Sequence, residues 1–183
     1  MIKHLFLKIF LFIFISMNSQ SIDIVNPGNN IGLKNWNIVN DDVMGGISKS
    51  YLSINEENNL IFGGNVSLKN NGGFASTRMG LDRESLNGIR SFKIKFRGDG
   101  NIYKLRIRQN NRRAGYSSNF KSVRDKWLEV NIPIGEFTPS WRGYSYSSYP
   151  EIETEKISSI GIQISDKQEG EFKLEIKYIK AIF

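Results

Sequence analysis

Cysteine is absent from this chain of 183 residues, and histidine occurs once, at His4. Without thiols there are no disulfides, no lipid-modified cysteine, no thiol nucleophile and no thiolate metal site. If the N-terminal segment is removed, His4 goes with it. What remains then has no imidazole zinc ligand and cannot build a Ser-His-Asp triad. Two chemistries survive this filter: a hard-cation site made of Asp and Asn oxygens, and hydrolysis by a carboxylate pair. No credible partner spacing supports either, so the expectation is a protein that is not an enzyme, with no cofactor and no metal. Helical periodicity is also scarce, and no apolar run reaches the roughly 20 residues of a comfortable membrane span.

The longest apolar run is Leu5 to Met17, interrupted by Lys8 and preceded by the basic start Met1-Ile2-Lys3-His4. Asn18-Ser19-Gln20 supplies small or polar residues at which a signal peptidase could cut. The expectation is a signal peptide over residues 1–20, a single domain over residues 21–183, and export from a bacterium to the periplasm or the medium. The alternative is a retained N-terminal membrane anchor. Formal net charge is +7, and removing Lys3 and Lys8 leaves 23 basic against 18 acidic residues, or +5. This modest excess suits an anionic partner, but it is no nucleic-acid signature.

Period-two alternation dominates the remainder, predicting strands near 47–54, 59–68, 73–79, 90–97, 102–109, 115–120, 126–132, 157–165 and 170–182. Many short strands without intervening helices predict an all-β, antiparallel sandwich or barrel. Leu81 to Leu86 suggests one helical turn. Asp99-Gly100 predicts a two-residue hairpin from Arg90 to Gln109, in which paired positions sum to 199. Phe92, Ile94 and Phe96 then lie beside Ile107, Leu105 and Tyr103, while Lys93 opposes Arg106 and Lys95 opposes Lys104. Such like-charge pairs are destabilising unless the face is solvated, or Glu129, Glu175 or an anionic partner offsets them. In the last strand Phe172, Leu174, Ile176 and Tyr178 are expected inward, and Lys173, Glu175 and Lys177 outward.

Residues 40 to 48, Asn40-Asp41-Asp42-Val43-Met44-Gly45-Gly46-Ile47-Ser48, can continue neither strand nor helix. Adjacent glycines permit positive φ, and the Asn, Asp and Ser side chains can bond local amides, which makes a fixed loop. Further along come Phe62-Gly63-Gly64-Asn65-Val66, Asn70-Asn71-Gly72-Gly73-Phe74-Ala75-Ser76-Thr77-Arg78, Arg97-Gly98-Asp99-Gly100, Arg142-Gly143 and Ile160-Gly161-Ile162-Gln163-Ile164. This ordered set, from about Trp36 to Ile182, resembles the complex I intermediate-associated protein 30 family. The resemblance implies a galactose-binding-like β-sandwich, a jelly roll. It also implies a non-catalytic binding or assembly role, since eukaryotic members act as chaperones in building respiratory complex I.

Read on their own, the residues leave several sites open. Asp41 and Asp42 point apart in extended backbone, so one is expected to cap the loop and the other to pair with Arg78 or Arg142. The glycine loops at 45–46 and 72–73 are expected to lie together. Lined by Asn40, Asp42, Asn71 and Arg78, they would form either a polar pocket or a structural lattice of turns. The aperiodic stretch from Thr138 to Glu155 carries Trp141, Arg142, Tyr144 and Tyr146. Its Tyr and Ser content suits an adaptable contact surface or sugar stacking, or a loop folding its own aromatics over the sandwich. The partner is thus a protein or a glycan, the second reading being an exported carbohydrate-binding module.

Overall fold

The computed structural model describes residues 20–82 and 84–183. The leader assigned to residues 1–20 therefore lies, but for Gln20, outside the described residues, as does Arg83. In chain order the strands are β1 Ser21–Val25, β2 Trp36–Ile38, β3 Lys49–Ile54, β4 Leu60–Val66, β5 Ala75–Gly80, β6 Ser91–Gly98 and β7 Ile102–Gln109. They continue with β8 Gly115–Lys121, β9 Trp127–Pro133, β10 Thr138–Trp141, β11 Tyr144–Ser145, β12 Ile157–Ile164 and β13 Gly170–Ile182. One sheet has the order β3-β4-β13-β6-β9, with β1 also on β13, and the other has β11-β10-β8-β7-β12-β5-β2. Their pairings are antiparallel, and the two sheets pack face to face, as the alternation predicts. All nine predicted strands form, within a residue or two of the expected bounds.

The interior is one continuous apolar cluster drawn from both sheets. Phe62 meets Phe172 at 5.0 Å between ring centroids, and Phe96 meets Phe120 at 4.8 Å. Tyr103 touches both Phe120 and Phe172. Truncating one such ring to alanine typically costs about 3–5 kcal/mol.

The predicted hairpin does not form. β6 pairs with β13 and β9, whereas β7 pairs with β12 and β8, so the Gly98–Asn101 connection crosses from one sheet to the other. Asp99 shapes this crossing by accepting from the Asn101 amide (3.0 Å), the Tyr103 hydroxyl (3.0 Å) and the Lys173 amide (2.8 Å). Phe92, Ile94 and Phe96 still bury against the same core as Tyr103, Leu105 and Ile107, but across the sandwich instead of within one sheet. Local turn preference loses here to the burial of two strongly alternating strands. The expected Lys93–Arg106 and Lys95–Lys104 oppositions disappear with the hairpin. Lys93 lies opposite Asn131 and Lys180, and Lys95 opposite Glu129. Glu129 and Glu175 offset the cations as anticipated: Lys93 is 3.6 Å from Glu129 and Arg97 is 2.7 Å from Glu175.

Two smaller differences follow from local geometry. A bulge between Ile176 and Tyr178 flips the facing of β13, so Ile179 and Ala181 enter the core and Tyr178 turns out to hydrogen-bond Glu129. Glu175 is buried, not outward in solvent, and accepts from Asn55, Asn59 and Arg97. Residues 84–88 form turns in place of a helical turn, with Leu86 buried beneath them.

Candidate functional site

Asp41 opens a short 3-10 turn, Asp41–Met44, that ends on Gly45 in the left-handed region at φ 89°. Its side chain is 0% exposed. Oδ1 accepts from the Ser48 amide at 2.9 Å. Oδ2 accepts from the Ser48 hydroxyl (2.5 Å), the Gly73 amide (2.7 Å) and the Phe74 amide (3.2 Å). One carboxylate thus clasps the 45–46 and 72–73 glycine loops together, as expected of the pair. Burial pushes this carboxyl up, but the bonds from Ser48, Gly73 and Phe74 outweigh it and hold Asp41 below the usual carboxylate range.

The clasp explains its glycines. A Cβ on Gly46 would sit 2.8 Å from Asp41 Cβ and closer still to the carboxyl carbon. A Cβ on Gly72 would sit 2.5 Å from the Ser67 carbonyl oxygen and 2.7 Å from Asp41 Oδ2, so backbone and clasp together require that glycine. Gly45 has open space around it and is required only by its positive φ. Asn40 is spent in the same way, its Oδ1 accepting from the Ser50 hydroxyl (2.7 Å) and the Ser76 amide (3.3 Å).

The polar pocket expected from Asn40, Asp42, Asn71 and Arg78 is therefore not assembled. Asn40 is buried and bonded, Asp42 and Asn71 are exposed, and Arg78 stands on β5 in a different cavity. The expected arginine partner of the second carboxylate is also missing: among the described residues Asp42 makes no ion pair, and Arg142 is exposed. What the clasped loop does present is apolar. Val43 is 68% exposed, Met44 51% and Ile47 49%.

Arg78 lines a cavity of about 120 Å³ on the outer face of the second sheet, with Arg106 and Arg108 of β7. Ser76, Ser159 and Gly161 contribute to its wall. Val39 and Phe74, which also line it, flank the clasped loops in sequence.

In the 138–155 segment β10 and β11 form a hairpin turned by Arg142 and Gly143, both at positive φ. Trp141 is half-buried, with the Arg113 guanidinium 3.9 Å and the Arg142 guanidinium 4.7 Å from its ring centroid. Tyr146 packs on Tyr149, whose hydroxyl accepts from the Ala114 amide. Tyr144 is 75% exposed. The loop thus largely folds its aromatics onto the sandwich, leaving Tyr144 free. Among the described residues no three carboxylate or imidazole side chains converge as metal ligands, and no helix is long and apolar enough to cross a membrane.

Residues 25–176 match the family described as Complex I intermediate-associated protein 30 (CIA30). The chain belongs to that family. It is 28% identical over 169 residues to the mitochondrial complex I intermediate-associated protein 30 of Mus musculus, covering 80% of this chain and 52% of the mouse protein. It is also 28% identical over 167 residues to the probable mitochondrial counterpart in Caenorhabditis elegans, covering 79% of this chain and 49% of that protein. The chain thus spans about half the length of the curated relatives it matches. In fold it is similar to a family 11 carbohydrate-binding module of a Clostridium thermocellum cellulosomal cellulase, with a TM-score of 0.65 at 14% identity. That match covers 90% of this chain and 94% of the module. The same module in complex with a β-1,3-1,4-mixed-linked tetrasaccharide gives 0.62 at 14% identity, covering 90% and 95%.

These relatives correct one expectation. They are mitochondrial proteins, which contradicts export from a bacterium by a cleaved signal peptide. A short basic, apolar N-terminal segment does not by itself specify a destination.

Val43, Met44 and Ile47 are not among the site residues expected from the sequence, and of the arginines on β7 only Arg106 figures there, as a cation of the predicted hairpin. Apolar residues inside an Asp- and Gly-rich loop were the available signal for the first group. The run Lys104, Arg106, Arg108 on one strand face was the signal for the second.

Proposed function

We propose that this chain is a non-catalytic binding protein that acts in assembly, docking a protein partner through the clasped loop. The observation that carries the reading is the division of labour within residues 41–47. Asp41 spends its whole carboxylate on holding the loop, so it is not free to act as an acid or base. Beside it Val43, Met44 and Ile47 stand in solvent on a backbone that cannot relax inward. Apolar side chains held out in this way lose water only when a partner covers them. The family's name, and those of the mouse and worm relatives, make complex I assembly intermediates the partner to test. The test is direct binding of the purified chain to isolated complex I assembly intermediates, followed by cross-linking from position 43. Saturable binding with cross-links from that position supports the reading, and binding without them places the interface elsewhere.

A second reading, carbohydrate binding, is favoured by the exposed Tyr144 and by the sandwich shared with the cellulase module. Trp141 serves it poorly, because two guanidinium groups already stand over its ring. Titration with a mixed-linked glucan tetrasaccharide separates the two: binding that is lost in Tyr144→Ala favours the glycan reading.

A further inference from the structure

The outer face of the second sheet concentrates positive charge that the protein does not neutralise. Arg78 on β5 lies directly opposite Gly161 on β12, and Gly161 lies opposite Arg106 on β7. Arg108, two residues further along β7, lies opposite Ser159. Between two arginine-bearing strands the central strand therefore offers a glycine and a serine, which leaves the cavity open beneath the guanidinium groups. Strands are about 4.8 Å apart, so arginine arms from β5 and β7, about 10 Å apart, can converge over that floor.

Several other cations of this fold are paired with acids. Lys93 has Glu129, Arg97 has Glu175, Lys104 has Asp166, Arg112 has Glu153 and Lys180 has Asp23. Among the described residues Arg78, Arg106 and Arg108 have no carboxylate within ion-pair distance. Arg108 donates to the Arg113 carbonyl at 3.3 Å, a neutral acceptor. Burial, then the charges of Arg108 and Arg78, push the Arg106 guanidinium down to about 10. Three cations around one cavity repel one another and favour any anion that enters it.

We infer that this cavity is an oxyanion-binding site, in which Arg78, Arg106 and Arg108 hold a carboxylate, phosphate or sulfate group. Guanidinium forks match the paired oxygens of such groups, and Ser159 in the wall adds a hydroxyl donor, whereas the Ser76 hydroxyl is already donated to the Val39 carbonyl. The volume admits the charged head of a larger molecule or a free ion. The inference is independent of the docking loop and stands or falls whether or not Val43 meets a partner.

The test titrates the purified chain with sodium phosphate, sodium sulfate and sodium acetate, each against sodium chloride at matched ionic strength, and reads thermal midpoint and heat of binding. A saturable response above the chloride control is expected, weakened at least about tenfold in Arg106→Gln. Without added anion, Arg106→Gln should melt no lower than the wild type, because removing the charge relieves repulsion and desolvation. If that variant does not fold, the half-exposed Arg78→Gln takes its place with the same expectation for binding. A stronger response to phosphate and sulfate assigns a tetrahedral group, and an equal or stronger response to acetate assigns a carboxylate such as an acidic side chain. No response above chloride, or equal responses in wild type and variants, overturns the inference. So does binding of a neutral glucan tetrasaccharide that Arg106→Gln leaves unchanged while anions have no effect.

Discussion

Replacing Asp41 with alanine removes the acceptor for three backbone amides and one hydroxyl. Ser48 Oγ can fall back on the Ser67 carbonyl, 3.4 Å away, but the buried Ser48 amide and the half-buried Gly73 amide have no such substitute. Each unsatisfied buried donor costs about 1–3 kcal/mol, so Asp41→Ala should cost about 3–5 kcal/mol, allowing for partial entry of water. Against a typical total of about 5–15 kcal/mol this is a large loss. Asp41→Asn keeps the shape and one oxygen, but must turn an NH2 group toward at least one N–H donor, and should cost less, about 1–3 kcal/mol. The pH dependence has a definite sign. Because the folded carboxyl titrates below its unfolded value, its ionised form contributes stability that is full above about pH 4 and lost as pH falls through the folded pKa. Urea denaturation of wild type and both variants, from pH 7 to pH 3, reads this directly as a shift in midpoint at constant slope. An Asp41→Ala variant within 1 kcal/mol of wild type, on the order of one ordinary hydrogen bond, would refute the reasoning. So would a wild-type advantage over Asp41→Asn that grows in acid.

The glycines of the clasp should separate by mechanism. Gly46→Ala forces a methyl against Asp41, and Gly72→Ala forces one against the Ser67 and Lys69 backbone carbonyls as well as Asp41; each should cost about 2–3 kcal/mol, and only Gly46→Ala should cost less than the sum when combined with Asp41→Ala. Gly45→Ala meets open space and should cost only the strain of its positive φ, about 1–2 kcal/mol, added to Asp41→Ala without coupling. Thermal melts of the singles and doubles check both. Glu175→Gln should destabilise by about 1–2 kcal/mol, a figure reduced because Arg97 is a third exposed. Burial raises the Glu175 carboxyl, but Arg97, Asn59 and Asn55 hold it below its ordinary value, so this loss should also fade below about pH 4.

Alternation carried most of the strand assignments, because a half-buried strand must repeat every two residues. It failed where the pattern is short or broken: β1, β2, β10 and β11 are edge or near-edge strands with too few residues to show a period. The β13 bulge inserts one residue and is invisible to a count by twos until Ile179 is seen inside. Asp99-Gly100 misled because a turn dipeptide reports local preference, while strand partners are settled by what the whole sheet buries. Within the loop, the glycine pairs and the capping carboxylate were legible. That Asp41 and not Asp42 turns inward depends on Ser48, seven residues on, and on Gly73 and Phe74, more than thirty residues on. The arginine cavity needs the pairing of β5, β12 and β7, which no single stretch of sequence contains.

The central claim is that the clasped loop holds Val43 and Met44 out for a protein partner. The most direct measurement is the affinity of purified wild type and the Val43→Asp/Met44→Asp double variant for isolated complex I assembly intermediates, with thermal midpoints recorded in parallel. Both side chains are exposed, so the double variant should melt within about 0.5 kcal/mol of wild type while its binding falls at least about tenfold. Equal binding by wild type and the double variant, with both folded, would contradict the account.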